Sequence, residues 1–216
     1  MENKERFIAV FEKNITRSGA KELLNYIENE TDFFEAPAST RFHLSVPGGL
    51  CEHSLHVYSR TREMYKSEKG ANLTAEEEEK LAIIALLHDL CKTNFYITEM
   101  RNQKTYDAEK VRKASPWDVK HDANGDFIWE TVPKYGVFDS FPYGHGEKSV
   151  VLIEKFINLT DEEKICIRWH MGFSDDTFKG GSGTVGNAFN MFPLAAILHT
   201  ADILASYLDE GDTKLF

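Results

Sequence analysis

The stretch A-L-L-H-D-L-C-K, residues 85–92, closes the apolar run L-A-I-I-A-L-L with a histidine and an aspartate and no polar break. An ionised carboxylate in apolar surroundings is costly unless it is paired, hydrogen-bonded or bound to a metal. Other segments carry the same residue types: E-H-S-L-H at 52–56, H-G-E-K at 145–148, W-H-M-G at 169–172 and H-T-A-D at 199–202. Imidazole nitrogens and carboxylate oxygens are ligands for divalent cations. Side chains that project from several helices into one bundle core can build such a site. Adjacent helical residues point about 100° apart, so His88 and Asp89 approach one centre only where a helix end loosens. A metal there would supply the counter-charge that Asp89 lacks.

The elements that must position these residues read as a mainly α chain. Residues 2–14 and 19–29 predict two amphipathic helices split near Ser18-Gly19. A connector with two prolines and a Gly-Gly fills 30–50, and a helix follows over 51–68. Thr74 and Glu77 have capping-box spacing and open a helix that runs to about Cys91. Residues 93–143 are rich in aromatics and turn formers, and Asn124-Gly125 signals a hairpin. The expectation is a small β-hairpin or irregular insertion in a helical body. Helix resumes over 145–157, and Thr160 with Glu163 opens another over 161–170. A Gly-rich loop is expected at 173–190. A last helix is expected at 193–209, with Pro193 in its first turn and Gly211 at its stop.

The order H…HD…H…H…D, with P-G-G-L-C-E-H-S-L-H-V before it and H-D-L-C-K within it, resembles the HD-domain superfamily of metal-dependent phosphohydrolases. The resemblance implies one HD-domain helical bundle over 1–216, with its core at about 45–210, N-terminal helices in 1–30 and an insertion at about 93–143. It implies His53, His88, Asp89 and Asp202 as ligands of a first divalent ion, with His145 and His170 adding a second ion bridged through Asp89. Candidate metals are Mn, Fe, Ni, Co or Mg. HD-GYP phosphodiesterases carry a His-His pair where this chain has Trp169-His170, and no G-Y-P follows, which argues against cyclic-di-GMP as substrate.

By the same resemblance the reaction is hydrolysis of a phosphate ester by a metal-activated water. Asp89 is then catalytic, and Lys92 is both a catalytic and a phosphate-facing cation. Arg168, Lys148 and His199 are further candidates for substrate binding. His199, one turn before Asp202, also reads as a satisfied core histidine. His56 reads as structural or substrate-facing. His43 reads equally as a cleft residue or a loop histidine without a role. Glu52 or Glu147 could steer His53 or His145. The aromatic insertion reads either as a satellite core or as a lid that stacks on a nucleobase.

Composition narrows the partners. A net charge of −10 opposes a sequence-independent grip on extended duplex DNA but leaves a small phosphorylated substrate or short single-stranded nucleic acid open. Three widely spaced cysteines give neither a disulfide framework nor a C-x-x-C. With no signal peptide and no apolar run of membrane length, the expectation is a cytoplasmic protein without a membrane partner. Two other functions fit the pattern: a di-iron oxygenase of the same superfamily, and a non-catalytic nucleotide-sensing module.

Overall fold

The computed structural model describes residues 2–175 and 183–211. Its helices are α1 (Asn3–Asn14), α2 (Ala20–Asn29), α3 (Gly49–Lys69), α4 (Ala75–Leu87), α5 (Ala108–Lys113), α6 (His145–Ile153), α7 (Asp161–Arg168), α8 (Thr184–Met191) and α9 (Pro193–Leu204). Three strands, β1 (Tyr96–Thr105), β2 (Lys120–Asp122) and β3 (Gly125–Val137), also lie among the described residues. The chain is mainly α with a small β insertion, as the sequence predicts. It divides into two compact units, one comprising Met1–Tyr96 with Asp139–Phe216 and the other Ile97–Phe138.

In the helical unit α4 is the central rod. Leu81 to Leu87 are all fully buried, and a helix that is apolar all round must be enclosed. It packs against α1, α3 and α7. Its start is fixed by the expected capping box: Thr74 accepts from the Glu77 amide, and Glu77 reaches back to the Thr74 amide. The same device opens α7 through Thr160 and Glu163. The helix expected to reach Cys91 instead stops at Leu87, and the chain tightens into a 3₁₀ turn at Leu90–Lys92. The apolar run continues through that break, so the hydrophobic pattern hides the end.

Two further boundaries differ from expectation. The helix predicted over 145–157 ends at Ile153. The region read as a Gly-rich loop, 173–190, overlaps the short turn Gly172–Ser174 and all of α8 but its last residue; residues 176–182 of that prediction lie outside the described residues. The last helix closes in a wide π turn, Ala205–Asp209.

Arg17, at the turn between α1 and α2, ties three elements together. Its guanidinium forms two 2.9 Å hydrogen bonds to the buried Glu163 carboxylate and a 3.4 Å ion pair with Glu79. The connector before α3 closes through Gly48-Gly49. Gly48 takes φ +78°, and a Cβ on Gly49 would collide with the Leu44 carbonyl oxygen. Only glycine fits that approach.

The second unit is a sheet of order β1-β3-β2. Its hairpin pairs Asp122 with Gly125, and Gly125 takes φ +115°, which matches the turn signal in the sequence. Phe127 is buried and packs on Tyr106 and Trp129, with the Lys104 ammonium 4.3 Å from its ring centre. Tyr106, Trp129 and Phe138 are exposed, as are Trp117 and Met100. The unit spans 97–138, inside the expected 93–143.

Candidate metal centre

Five elements of the helical unit deliver six side chains to one place. α3 supplies His53, the end of α4 supplies His88 and Asp89, α6 supplies His145, the end of α7 supplies His170, and α9 supplies Asp202. His53, His88, Asp89 and His170 are almost wholly buried. The side chain of His145 is 30% exposed and that of Asp202 16%, so solvent reaches the cluster on their side.

Asp89 is the hub. Its Oδ1 lies 2.8 Å from His145 Nε2 and 3.5 Å from His170 Nε2. Its Oδ2 lies 3.4 Å from His88 Nε2, 3.6 Å from His53 Nε2 and 2.7 Å from Lys92 Nζ. Each oxygen therefore faces its own pair of imidazoles. Asp202 Oδ1 lies 3.2 Å from His53 Nε2, and Asp202 also groups with His88 and His170.

The histidine orientations have a local cause. His88 and His170 both stand just past a helix end, where the last carbonyls lack partners. His88 Nδ1 donates to the Ala85 carbonyl at 2.8 Å, and His170 Nδ1 donates to the Ile167 carbonyl at 2.6 Å. With the proton on Nδ1, a neutral ring presents the Nε2 lone pair inward. His170 Nε2 is buried without a hydrogen-bond partner. The Nε2 atoms of His53 and His88 face each other at 3.3 Å. Lone pairs aimed at each other and at a carboxylate repel unless a cation or proton lies among them. The donor set, imidazole nitrogens and carboxylate oxygens, is one that divalent transition ions take. The residues fit a metal centre.

Electrostatics agree with that reading. Burial alone would raise the Asp89 pKa; the Lys92 charge and the surrounding imidazoles of His88, His145 and His170 hold it well below the usual range. Burial opposes a charged His53 ring, but bonds to Asp202 and Glu210 outweigh it and raise that pKa to about 9. Burial lowers the His145 pKa against the pull of Asp89, which favours the neutral, ligating form. The raised His53 pKa shows that this position favours positive charge.

The remaining candidates lie at the rim or beyond it. Lys92 reaches the cluster, bonding Asp89 and the Ala38 carbonyl at 2.8 Å. Lys148 is buried and pairs with Asp139 at 2.7 Å. Arg168 pairs with Glu147 and with Asp175 and lies over the Trp169 ring. Both cations thus already have carboxylate partners outside the six-residue cluster. His199 donates from Nδ1 to the His170 carbonyl at 2.6 Å and packs on Phe189, so it supports the backbone of a cluster residue. His43 stacks near His53, with ring centres 4.8 Å apart. The residue that sequence reasoning missed is Glu210, whose carboxylate meets both His53 and His56. It lies 157 residues from His53, and nothing in D-E-G at 209–211 marks it.

The family model for the HD domain matches residues 50–206. The chain belongs to the HD domain family. That match takes in all six cluster residues and stops short of Glu210. No curated protein and no solved structure matches the chain. The HD domain is the domain of a metal-dependent phosphohydrolase superfamily, and this HD domain holds several His/Asp groupings able to take a metal. Among the described residues, no single helix is long and apolar enough to cross a membrane.

Proposed function

We propose that this HD domain is a phosphohydrolase or phosphodiesterase that acts on a nucleotide or short oligonucleotide at a two-ion centre. The observation that carries the reading is the bridging position of Asp89, with one oxygen toward His53 and His88 and the other toward His145 and His170. His53, His88, Asp89 and Asp202 would hold one ion; His145 and His170, with Asp89, would hold the second. When bound, such ions supply an activated water and polarise a phosphoryl oxygen. Lys92 holds Asp89 ionised and keeps a positive charge beside the place a phosphate would take. The more exposed His145 and Asp202 mark the side from which substrate approaches. An acidic chain, net −10, suits a small phosphorylated substrate better than extended duplex DNA.

The test is an assay of Mn²⁺-loaded protein on nucleoside monophosphates, dNTPs, cyclic nucleotides, bis-p-nitrophenyl phosphate and short single-stranded RNA and DNA. Asp89→Ala is expected to abolish turnover, a loss of at least about 10³-fold, because it removes the bridge between both ions. A metal-loaded wild type that hydrolyses none of these would overturn the reading. Iron content with O₂ consumption would then establish the oxygenase alternative, and nucleotide binding without turnover the sensing module.

A further inference from the structure

Outside the six-residue cluster, one buried carboxylate has a geometry that the metal reading does not use. Glu210 follows the π turn Ala205–Asp209, and its side chain is fully buried. His53 Nδ1 lies 3.1 Å from both of its oxygens, and His56 Nδ1 lies 2.9 Å from Oε1. One helical turn farther along α3, Arg60 grips the neighbouring Asp209, with Nε 2.9 Å from Oδ2. His53, His56 and Arg60 share one face of α3 at helical spacing. That face holds the C-terminal turn in place, and the wide turn aims Glu210 at the outer nitrogen of His53.

We infer that Glu210 is a positioning residue for the metal centre: by accepting the Nδ1 proton of His53 it fixes that ring with its Nε2 toward the ions. This inference rests on the metal reading above. A carboxylate behind a ligating imidazole sets the tautomer, locks the ring orientation and raises the basicity of the ligating nitrogen. Here the carboxylate comes from a segment far from its histidine in sequence, so the C-terminal turn completes the site. His56 donates to the same oxygen and keeps Glu210 from turning away. Arg60 supports the turn without touching His53, which separates holding the turn from orienting the ring.

The experiment titrates the chelator-stripped full-length protein with Mn²⁺ alone by calorimetry, with the fold of each variant checked by circular dichroism. Glu210→Ala is expected to weaken Mn²⁺ binding about 10- to 100-fold. Glu210→Gln keeps an acceptor oxygen but loses the charge, and is expected to fall between wild type and Glu210→Ala. Arg60→Ala, which loosens the turn but leaves the Glu210 carboxylate in the chain, is expected to lose less Mn²⁺ affinity than Glu210→Ala. Wild-type affinity in Glu210→Gln and Glu210→Ala would overturn the inference, and so would an equal loss in Arg60→Ala. If Glu210→Ala does not fold, the Gln variant decides alone: weakened binding supports the inference and wild-type binding overturns it. A wild type that binds no Mn²⁺ would defeat the metal reading itself, and this inference with it.

Discussion

At the scale of single residues, the centre is built from imidazoles whose outer nitrogens are already engaged. His88 and His170 use helix-end carbonyls, His53 uses Glu210, and His145 sets its Nδ1 3.4 Å from Cys91 Sγ. Every inner nitrogen is thereby directed at Asp89 or Asp202. The cost is a cluster that needs positive charge in its middle. Without metal, a proton on His53 provides it. Because the folded His53 pKa is raised to about 9, above the ordinary value of about 6.5, the stabilisation from this proton is complete below that ordinary value. It is lost as pH rises through about 9. Chelator-stripped protein should therefore lose stability between neutral pH and about pH 9.5, while Mn²⁺ fixed at 100 times its neutral-pH Kd should add about 2.7 kcal/mol at neutral pH and more as pH rises, because the ion no longer competes with that proton. Thermal melts of both forms against pH check this. A stripped protein whose Tm does not fall above neutral pH would refute the protonated bare cluster. The six cluster residues were legible in the sequence because their types and order carry the signal. Glu210 was not, because an acidic residue in a polar C-terminal stretch looks solvated until the fold brings it to His53.

At the scale of elements, the capped helix starts and the ends of α1, α2 and α3 were legible, and the ends of α4 and α6 were not. Thr74 with Glu77 and Thr160 with Glu163 form capping boxes that short-range chemistry alone dictates. The stop of α4 is set by tertiary demand: His88 keeps α-helical backbone angles, and Asp89 leaves them so that the two side chains face the centre together. α8 was hidden because a glycine-rich composition argues against a helix, while Val185 and Ala188 still bury a face against Trp169. The α1–α2 turn has a comparable tertiary device in Glu79. Its Oε1 accepts from the amides of Thr16, at 2.6 Å, and Arg17, at 3.0 Å. Burial would raise its pKa, but these two hydrogen bonds and the Arg17 charge outweigh it and lower it. A depressed carboxyl pKa contributes stability that is present above the unfolded value and lost as pH falls through the folded one. Glu79→Gln is expected to cost about 2 kcal/mol at neutral pH, with the gap to wild type closing on acidification. Urea melts at pH 7 and toward pH 3 measure the gap, and a gap that does not narrow would rule out this account.

At the scale of the whole molecule, the chemistry and the aromatic insertion belong to different units. All six cluster residues, Lys92 and Glu210 lie in Met1–Tyr96 and Asp139–Phe216, and the insertion Ile97–Phe138 has its own small core around Phe127. The buried core of the helical unit draws on α1, α2, α3, α4, α6, α7 and α9, and Tyr96, the first residue of β1, packs against it. The composition of 93–143 shows an insertion but not what it does, because aromatics that build a satellite core and aromatics that stack on a base share one signature. If the helical unit carries the metal site alone, replacing residues 97–138 by a short Gly-Ser linker should leave Mn²⁺ affinity and stoichiometry unchanged. The helical circular dichroism signal should persist, and unfolding should stay cooperative, because the buried cluster that drives it is intact. Calorimetric titration of that variant beside the full chain is the check. Loss of Mn²⁺ binding in a variant that still unfolds cooperatively would show that the insertion supports the centre, and the division of labour between the two units would have to be abandoned.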